Sequence, residues 1–243
     1  MEFKVFDTYE EASKYAADLV AEVIKDKKDA VLGLATGSTP IGMYKELIRK
    51  YEKGELDFSE TKSVNLDEYI GIDGKHPQSY RYFMNKNLFD HINIDKKNTY
   101  VPNGIATDLN DEARNYDKLV KSLGGIDIQI LGIGANGHIG FNEPSSTLHL
   151  NTHVTNLKSE TITANARFFE SEKEVPTKAI TMGIGAIMNA RRIVLIATGS
   201  SKAEVVRSLK DSLISTNIPA TILKTHQDVM VILDKKAAEL LKP

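Results

Sequence analysis

The sequence predicts an α/β fold: a mainly parallel sheet with helices on both faces. Three observations carry this expectation. Short runs such as AVLGLA (30–35), RIVLIA (192–197) and VMVIL (229–233) are apolar almost throughout, as strands covered on both faces must be. Most such runs empty into a glycine-containing turn, and a stretch with helical spacing follows. No linker, repeat or low-complexity tract interrupts the alternation, so residues 1–243 are expected to form one domain, with the weakly patterned stretch 144–177 as a lid or small insert.

The elements follow in order. Residues 8–28 read as a helix capped by Thr8, with Ala12, Tyr15, Ala16, Leu19 and Val23 at helical spacing. A buried strand over 30–35 runs into Thr36-Gly37-Ser38-Thr39-Pro40, and a helix follows from Ile41 to about Glu52. A second strand, 62–66, ends at Asp67-Glu68-Tyr69. Residues 78–89 read as a helix started by Pro77, 98–101 as a brief strand, and 108–123 as an amphipathic helix capped by Asp108. After Gly124-Gly125 comes IDIQILGIGANGHIGFNEP (126–144), a strand opening into a glycine-rich loop. Residues 152–155 are expected to be extended, 162–169 helical, and 179–182 a strand before a short helix. A strand at 192–198 precedes a helix at 202–210, a helical turn at 219–225, a strand at 229–233 and a last helix at 235–241.

Composition narrows the function. The chain has 243 residues, 41% hydrophobic and 26% charged, with a net charge of −2 and no basic blocks, which argues against nucleic acid as the main partner. The absence of cysteine excludes disulfides, a thiolate nucleophile and a cysteine zinc site. No apolar run approaches the ~18 residues of a membrane span, and the N-terminus lacks the plan of a signal peptide. A soluble, cytoplasmic protein without a membrane partner is expected.

Two turns, ATGSTP (35–40) and ATGSSK (197–202), each follow a buried strand and open a helix. Unpaired amides at a helix N-terminus, the hydroxyls of Thr36, Ser38 and Thr39, and the charge of Lys202 suit a phosphate, although such turns also cap helices without any ligand. Neither is a Walker loop. GIGANG (132–137) matches GxGxxG formally, but 138–144 has no helical pattern and ends at a proline, which speaks against a dinucleotide site. His138 and Glu143, five residues apart in a loop, fit no helical metal pair; they suit acid–base work, unless His138 merely bonds to backbone. Asp67, at a strand's C-terminal end, is a candidate base for a proton α to a carbonyl, or a simple turn residue. Arg167 stands alone in ANARFF, either on a fixed anion or on a helix surface. His76, His91, His149, His153 and His226 are given no catalytic role. Together the two turns, the carboxylate and the His loop suggest a phosphorylated small molecule undergoing proton transfer.

LGLATGSTP (32–40), NLDEYIG (65–71), HPQSYRYFM (76–84), LGIGANGHIGFNEP (131–144), ANARFF (164–169) and ATGSSKA (197–203) resemble the glucosamine-6-phosphate deaminases, in order over nearly the whole chain. The loop of the related 6-phosphogluconolactonases continues differently after its His. The resemblance implies a modified Rossmann-like sheet and conversion of D-glucosamine 6-phosphate and water to D-fructose 6-phosphate and ammonium, with no cofactor and no metal. By motif, Asp67 is the enolisation base, and His138 opens the sugar ring with Glu143 and Asn136. Gly37, Ser38, Thr39, Arg167 and Lys202 hold the phosphate. Many members have aspartate where Asn136 stands; an amide orients His138 but shares no charge, leaving Glu143 to support an imidazolium. Allosteric hexameric members use basic residues where this chain has His153 and Thr155, so the resemblance implies a short, non-allosteric, monomeric type. A lactone hydrolase and a sugar-phosphate sensor are the competing readings.

Overall fold

A computed structural model of the chain describes residues 1–166, 169, 171 and 174–241. In order the elements are β1 (Glu2–Phe6), α1 (Tyr9–Asp26), β2 (Val31–Leu34), α2 (Ile41–Glu52), β3 (Lys62–Asn65), β4 (Asp67–Tyr69), α3 (Tyr80–Asn87), β5 (Thr99–Tyr100), α4 (Leu109–Ser122), β6 (Ile128–Leu131), β7 (His153–Asn156), α5 (Ser159–Asn165), β8 (Lys178–Thr181), α6 (Ile184–Met188), β9 (Arg192–Ala197), α7 (Ala203–Asp211) and β10 (Val229–Asp234). Thr8 caps α1 through the amide of Glu11, and Asp108 caps α4 through those of Asn110 and Asp111, as their side chains suggest.

Seven strands form one parallel sheet in the order β1-β10-β9-β6-β2-β3-β5. Every residue of β2 and β6 is buried, so both faces of the sheet centre are covered. From β2 the chain crosses over to β3 on one side; from β6 it crosses to β9 on the other. The connections therefore diverge between β2 and β6, and a crevice opens beyond the C-terminal ends of those strands. The loops leaving them are 35–40 and 132–144, which carry the first glycine turn and the His138 motif.

A second sheet, β4-β8-β7, is antiparallel. It begins where β3 ends: the Leu66 amide still bonds to Leu34 of β2, while the Leu66 carbonyl accepts from Met182, just after β8. The chain thus turns out of the main sheet at Leu66 and carries Asp67 directly onto the small one.

Four expectations need correction. The first residues form an edge strand, β1, where the sequence pattern announces none; its residues are mostly exposed, so it lacks the apolar signature of a covered strand. LDEY is a strand of its own sheet and not merely the end of β3. Residues 235–240 form turns in place of a last helix, because the Asp234 carboxylate accepts the Ala237 amide and curls the chain. Within 162–169 the helix is shorter and earlier, Ser159–Asn165, and Arg167 lies outside the described residues.

One polar residue sits in the middle of the core. Gln129 of β6 is fully buried and in register with Gly33 of β2. A Cβ on Gly33 would lie 2.2 Å from Gln129 Oε1, so the glycine leaves room for the amide side chain. Gly33→Ala is therefore expected to destabilise the fold by ~1–3 kcal/mol through overpacking, read as a lowered Tm in thermal denaturation.

Candidate active site

A cavity of about 590 Å³ opens at this crevice. Thr36, Gly37, Ser38 and Thr39 line it from the turn after β2, Asp67 from β4, Asn136 and His138 from the loop after β6, and Lys202 from the turn before α7. All of the expected site residues within the described part reach it except Glu143, which lines an adjoining cavity of about 240 Å³ together with His149 and His153.

The 36–40 turn is held from an unexpected quarter. The Tyr9 hydroxyl, at the start of α1, accepts the Gly42 amide at 2.7 Å and donates to the Thr39 carbonyl at 3.1 Å. It thereby braces the turn against the first turn of α2. Nothing in the local sequence of Tyr9 signals this, because the contact spans two elements. The 197–202 turn behaves differently from its twin. Its Gly199 amide is already taken by the Asp234 carboxylate, at 3.0 Å to both oxygens. Only Lys202 of that turn faces the cavity, with its ammonium donating to the Ile133 carbonyl at 2.7 Å.

The loop after β6 folds tightly. The Gly134 amide donates to the His138 carbonyl at 3.0 Å, and the imidazole lies over Gly134 so closely that a Cβ there would be 2.2 Å from His138 Cε1. His138 Nδ1 is 2.8 Å from Asn136 Oδ1 and 3.3 Å from Glu143 Oε2. The Asn136 amide nitrogen donates to Glu143 Oε2 at 2.7 Å. Both groups facing Nδ1 are acceptors, so Nδ1 carries a proton and the lone pair of the neutral ring lies on Nε2. Thr161 of α5 donates to the other Glu143 oxygen. Burial by itself would raise the Glu143 carboxyl; the His138 imidazole, by hydrogen bond and charge, and the hydrogen bonds from Thr161 and Asn136 outweigh it and hold the group at about 2. Glu143 is thus a fixed anion behind an imidazole whose orientation is set by Asn136.

Asp67 is the opposite case. It is 7% exposed, and among the described residues no hydrogen-bond donor reaches its carboxylate. It faces the loop: a Cβ on Gly140 would lie 3.5 Å from Asp67 Oδ2. Burial, reinforced by the neighbouring Glu68 charge, pushes Asp67 up to about 8. Tyr69, Tyr80 and Phe141 form an aromatic wall beside it, with Tyr69 and Tyr80 centroids 4.7 Å apart and Tyr80 stacked on Phe141. Asn165 of α5 donates to the Tyr69 hydroxyl at 2.8 Å, so α5 touches the cavity through Asn165 and the His138 loop through Thr161. Among the described residues no three His, Asp or Glu side chains converge on a metal position, and no helix is long and apolar enough to cross a membrane.

Residues 6–232 match the model of the family described as glucosamine-6-phosphate isomerases/6-phosphogluconolactonase. The chain belongs to this family. A glucosamine-6-phosphate deaminase of Clostridium perfringens (strain 13 / Type A) is 60% identical over 242 residues, spanning 100% of both chains. A solved structure of a monomeric glucosamine-6-phosphate deaminase of the NagB superfamily superimposes with a TM-score of 0.97 at 50% identity, over 99% of this chain and 100% of that one. The 6-phosphogluconolactonase of Trypanosoma brucei shares the fold alone, with a TM-score of 0.76 at 19% identity over 99% and 98% of the two chains.

The raised proton affinity of Asp67 bears on this family member's stability. Folding takes up a proton between the ordinary carboxylate range and about 8, so stability from this group is present in acid and lost as pH rises through that window. Every tenfold gain in proton affinity on folding corresponds to ~1.4 kcal/mol. Asp67→Asn, which cannot ionise, is expected to match the wild type near pH ~4 and to exceed it by several degrees of Tm near pH ~9. Equal Tm differences at both pH values would contradict the assignment.

Proposed function

We propose that this chain is a glucosamine-6-phosphate deaminase, converting D-glucosamine 6-phosphate and water to D-fructose 6-phosphate and ammonium. The observation that carries the reading is the meeting of two unlike groups on one cavity. One is a desolvated carboxylate without hydrogen bonds from the described residues; the other is an imidazole backed by a fixed anion. A single-step hydrolysis has no use for a second, separately tuned base. The full-length relative from Clostridium perfringens that bears the deaminase name supports the same reading.

The chemistry runs in four steps. Nε2 of neutral His138 takes the proton of the anomeric hydroxyl, the ring C–O bond breaks, and the ring oxygen is protonated. The imidazolium formed meanwhile is stabilised by Glu143 and kept in line by Asn136. The open chain has a carbonyl at C1, which acidifies the hydrogen on C2. Asp67 removes that proton while the C1 oxygen takes a proton from the C2 ammonium, which gives a neutral enolamine; Asp67 then returns its proton to C1, leaving a C1 hydroxyl and an iminium at C2. Water adds to the iminium carbon, the C–N bond breaks, and ammonia leaves with a proton as ammonium. Each proton transfer accounts for ~10²–10⁴ in rate. A base near 8 is well matched to a weakly acidic C–H at neutral pH, because the aromatic wall and its own burial leave it little solvation to lose.

The phosphate is assigned to Thr36, Gly37, Ser38 and Thr39 with the Lys202 ammonium, and Arg167 belongs to this assignment by motif alone. Anchoring the far end of the substrate sets C2 against Asp67 and C1–O against His138, which is where positioning contributes to rate. No cofactor is invoked. The stretch 144–177, which includes α5, is assigned as the lid because Thr161 bonds to Glu143 behind His138, and Asn165 bonds to Tyr69, two residues from Asp67. We also assign a monomeric, non-allosteric form, supported by the likeness to the monomeric solved relative.

Ammonium release from glucosamine 6-phosphate tests the reaction. Asp67→Asn is expected to lose ~10² or more in kcat, and the wild-type kcat/KM is expected to rise with pH through about 8 as Asp67 ionises. His138→Gln is expected to lose rate on cyclic substrate and little on substrate already ring-opened. Near-wild-type turnover by Asp67→Asn refutes its role, and acid release from 6-phosphogluconolactone without ammonium refutes the reaction. A monomer should give hyperbolic substrate curves in which N-acetylglucosamine 6-phosphate changes nothing; sigmoidal curves that this compound straightens refute the non-allosteric form.

A further inference from the structure

Glu68 adjoins the proposed base, is only 3% exposed, and has no part in the chemistry above. Neighbouring side chains on a strand point to opposite faces. Asp67 and Tyr69 line the cavity, and Glu68 points away from it, toward the start of α3. Its Oε1 accepts the amides of Tyr69 and Tyr80 at 2.9 and 2.8 Å, and its Oε2 accepts the amide of Arg81 at 2.9 Å. Tyr80 and Arg81 are the first two residues of α3, whose amides have no acceptor within the helix. The third amide, of Tyr82, goes to the Ser79 hydroxyl at 3.0 Å.

Serine and water would satisfy a helix start with far less desolvation than a buried carboxylate. What the carboxylate adds is a strut. One end is fixed in β4, which carries Asp67; the other is fixed in α3, whose Tyr80 and Phe83 line the same cavity. We infer that Glu68 is a positioning residue: it locks the strand bearing Asp67 to the first turn of α3, so that a carboxylate with no hydrogen bonds from the described residues is held in one place against the substrate. This rests on the reading of Asp67 as the base.

The lock also acts through charge. Burial pushes Glu68 up, while the three amides and the Arg81 charge pull it back toward the ionised form. The charged groups around it are Asp67 on its own strand and Arg81 of α3, whose guanidinium is tied to Thr99 at 2.8 and 2.7 Å. The Tyr69 and Tyr80 hydroxyls are pushed up by burial and stay neutral. The Glu68 charge therefore acts on Asp67 alongside burial, disfavouring its ionisation.

Two readouts test the inference. Glu68→Gln keeps the shape but replaces one acceptor by a donor and removes the charge. It is expected to lower kcat about ten-fold or more with KM within about two-fold, and to move the acidic limb of the kcat/KM profile down by on the order of one pH unit. A residue that only caps α3 would lower Tm and leave that limb where it was. The second readout needs no turnover: the pH at which the stabilisation by Asp67→Asn stops growing is measured in wild-type and Glu68→Gln backgrounds, and both that pH and the final gain in Tm should fall in the latter. Should wild-type protein release no ammonium, the reaction assignment fails while this second measurement still decides whether Glu68 acts on Asp67. Glu68→Asp retains charge but is one methylene too short to reach both helix amides; a lower kcat with an unmoved limb is expected. If Glu68→Gln does not fold, wild-type kcat in Glu68→Asp overturns the inference, as does an unshifted pH limb in a folded Glu68→Gln.

Discussion

A buried carboxylate that no donor among the described residues reaches is an unfavourable thing to build, and this molecule places one at the mouth of its sheet. It stays where it is only if the backbone beneath it is fixed by other means. The means are visible: Leu66 is hydrogen-bonded to both sheets, β4 pairs with β8, and Glu68 grips the start of α3. Two adjacent carboxylates thus have opposite surroundings. One is saturated with amides and the other left bare, and the bare one keeps its basicity.

The His138 loop solves a related problem with different parts. Under the proposed mechanism His138 carries protons, which calls for a defined tautomer and a partner for its charged form. Asn136 provides the first and Glu143 the second, and the amide joins them by donating to the same Glu143 oxygen that faces the imidazole. Neutral orientation and charge compensation are separated onto two residues. Both depend on Gly134, since any side chain there would occupy the space of the ring.

Much of this is legible in the sequence because the relevant signals are local. Apolar runs mark β2, β9 and β10, capping residues mark α1 and α4, and LDEY and GANGHIGFNEP place most of the proposed site in contiguous stretches. What the sequence hides is non-local or compensated. β1 is an exposed edge strand with no apolar signature. ATGSSK reads like ATGSTP, but Asp234, far along the chain, already occupies its glycine amide, and Lys202 is what that turn brings to the cavity. The brace from Tyr9, the strut of Glu68 and the reach of Thr161 to Glu143 each join elements that sequence order keeps apart.

The sheet order has a consequence for biosynthesis. Among the described residues β1 has one partner in the sheet, β10, which is made after every other described strand. Until then β1 has no ladder to join, although the crevice between β2 and β6 depends only on strands made earlier. The edge therefore closes only once β10 has been made. A polypeptide that stops before β10 would leave β9 uncovered on one side, an open template for pairing with another chain.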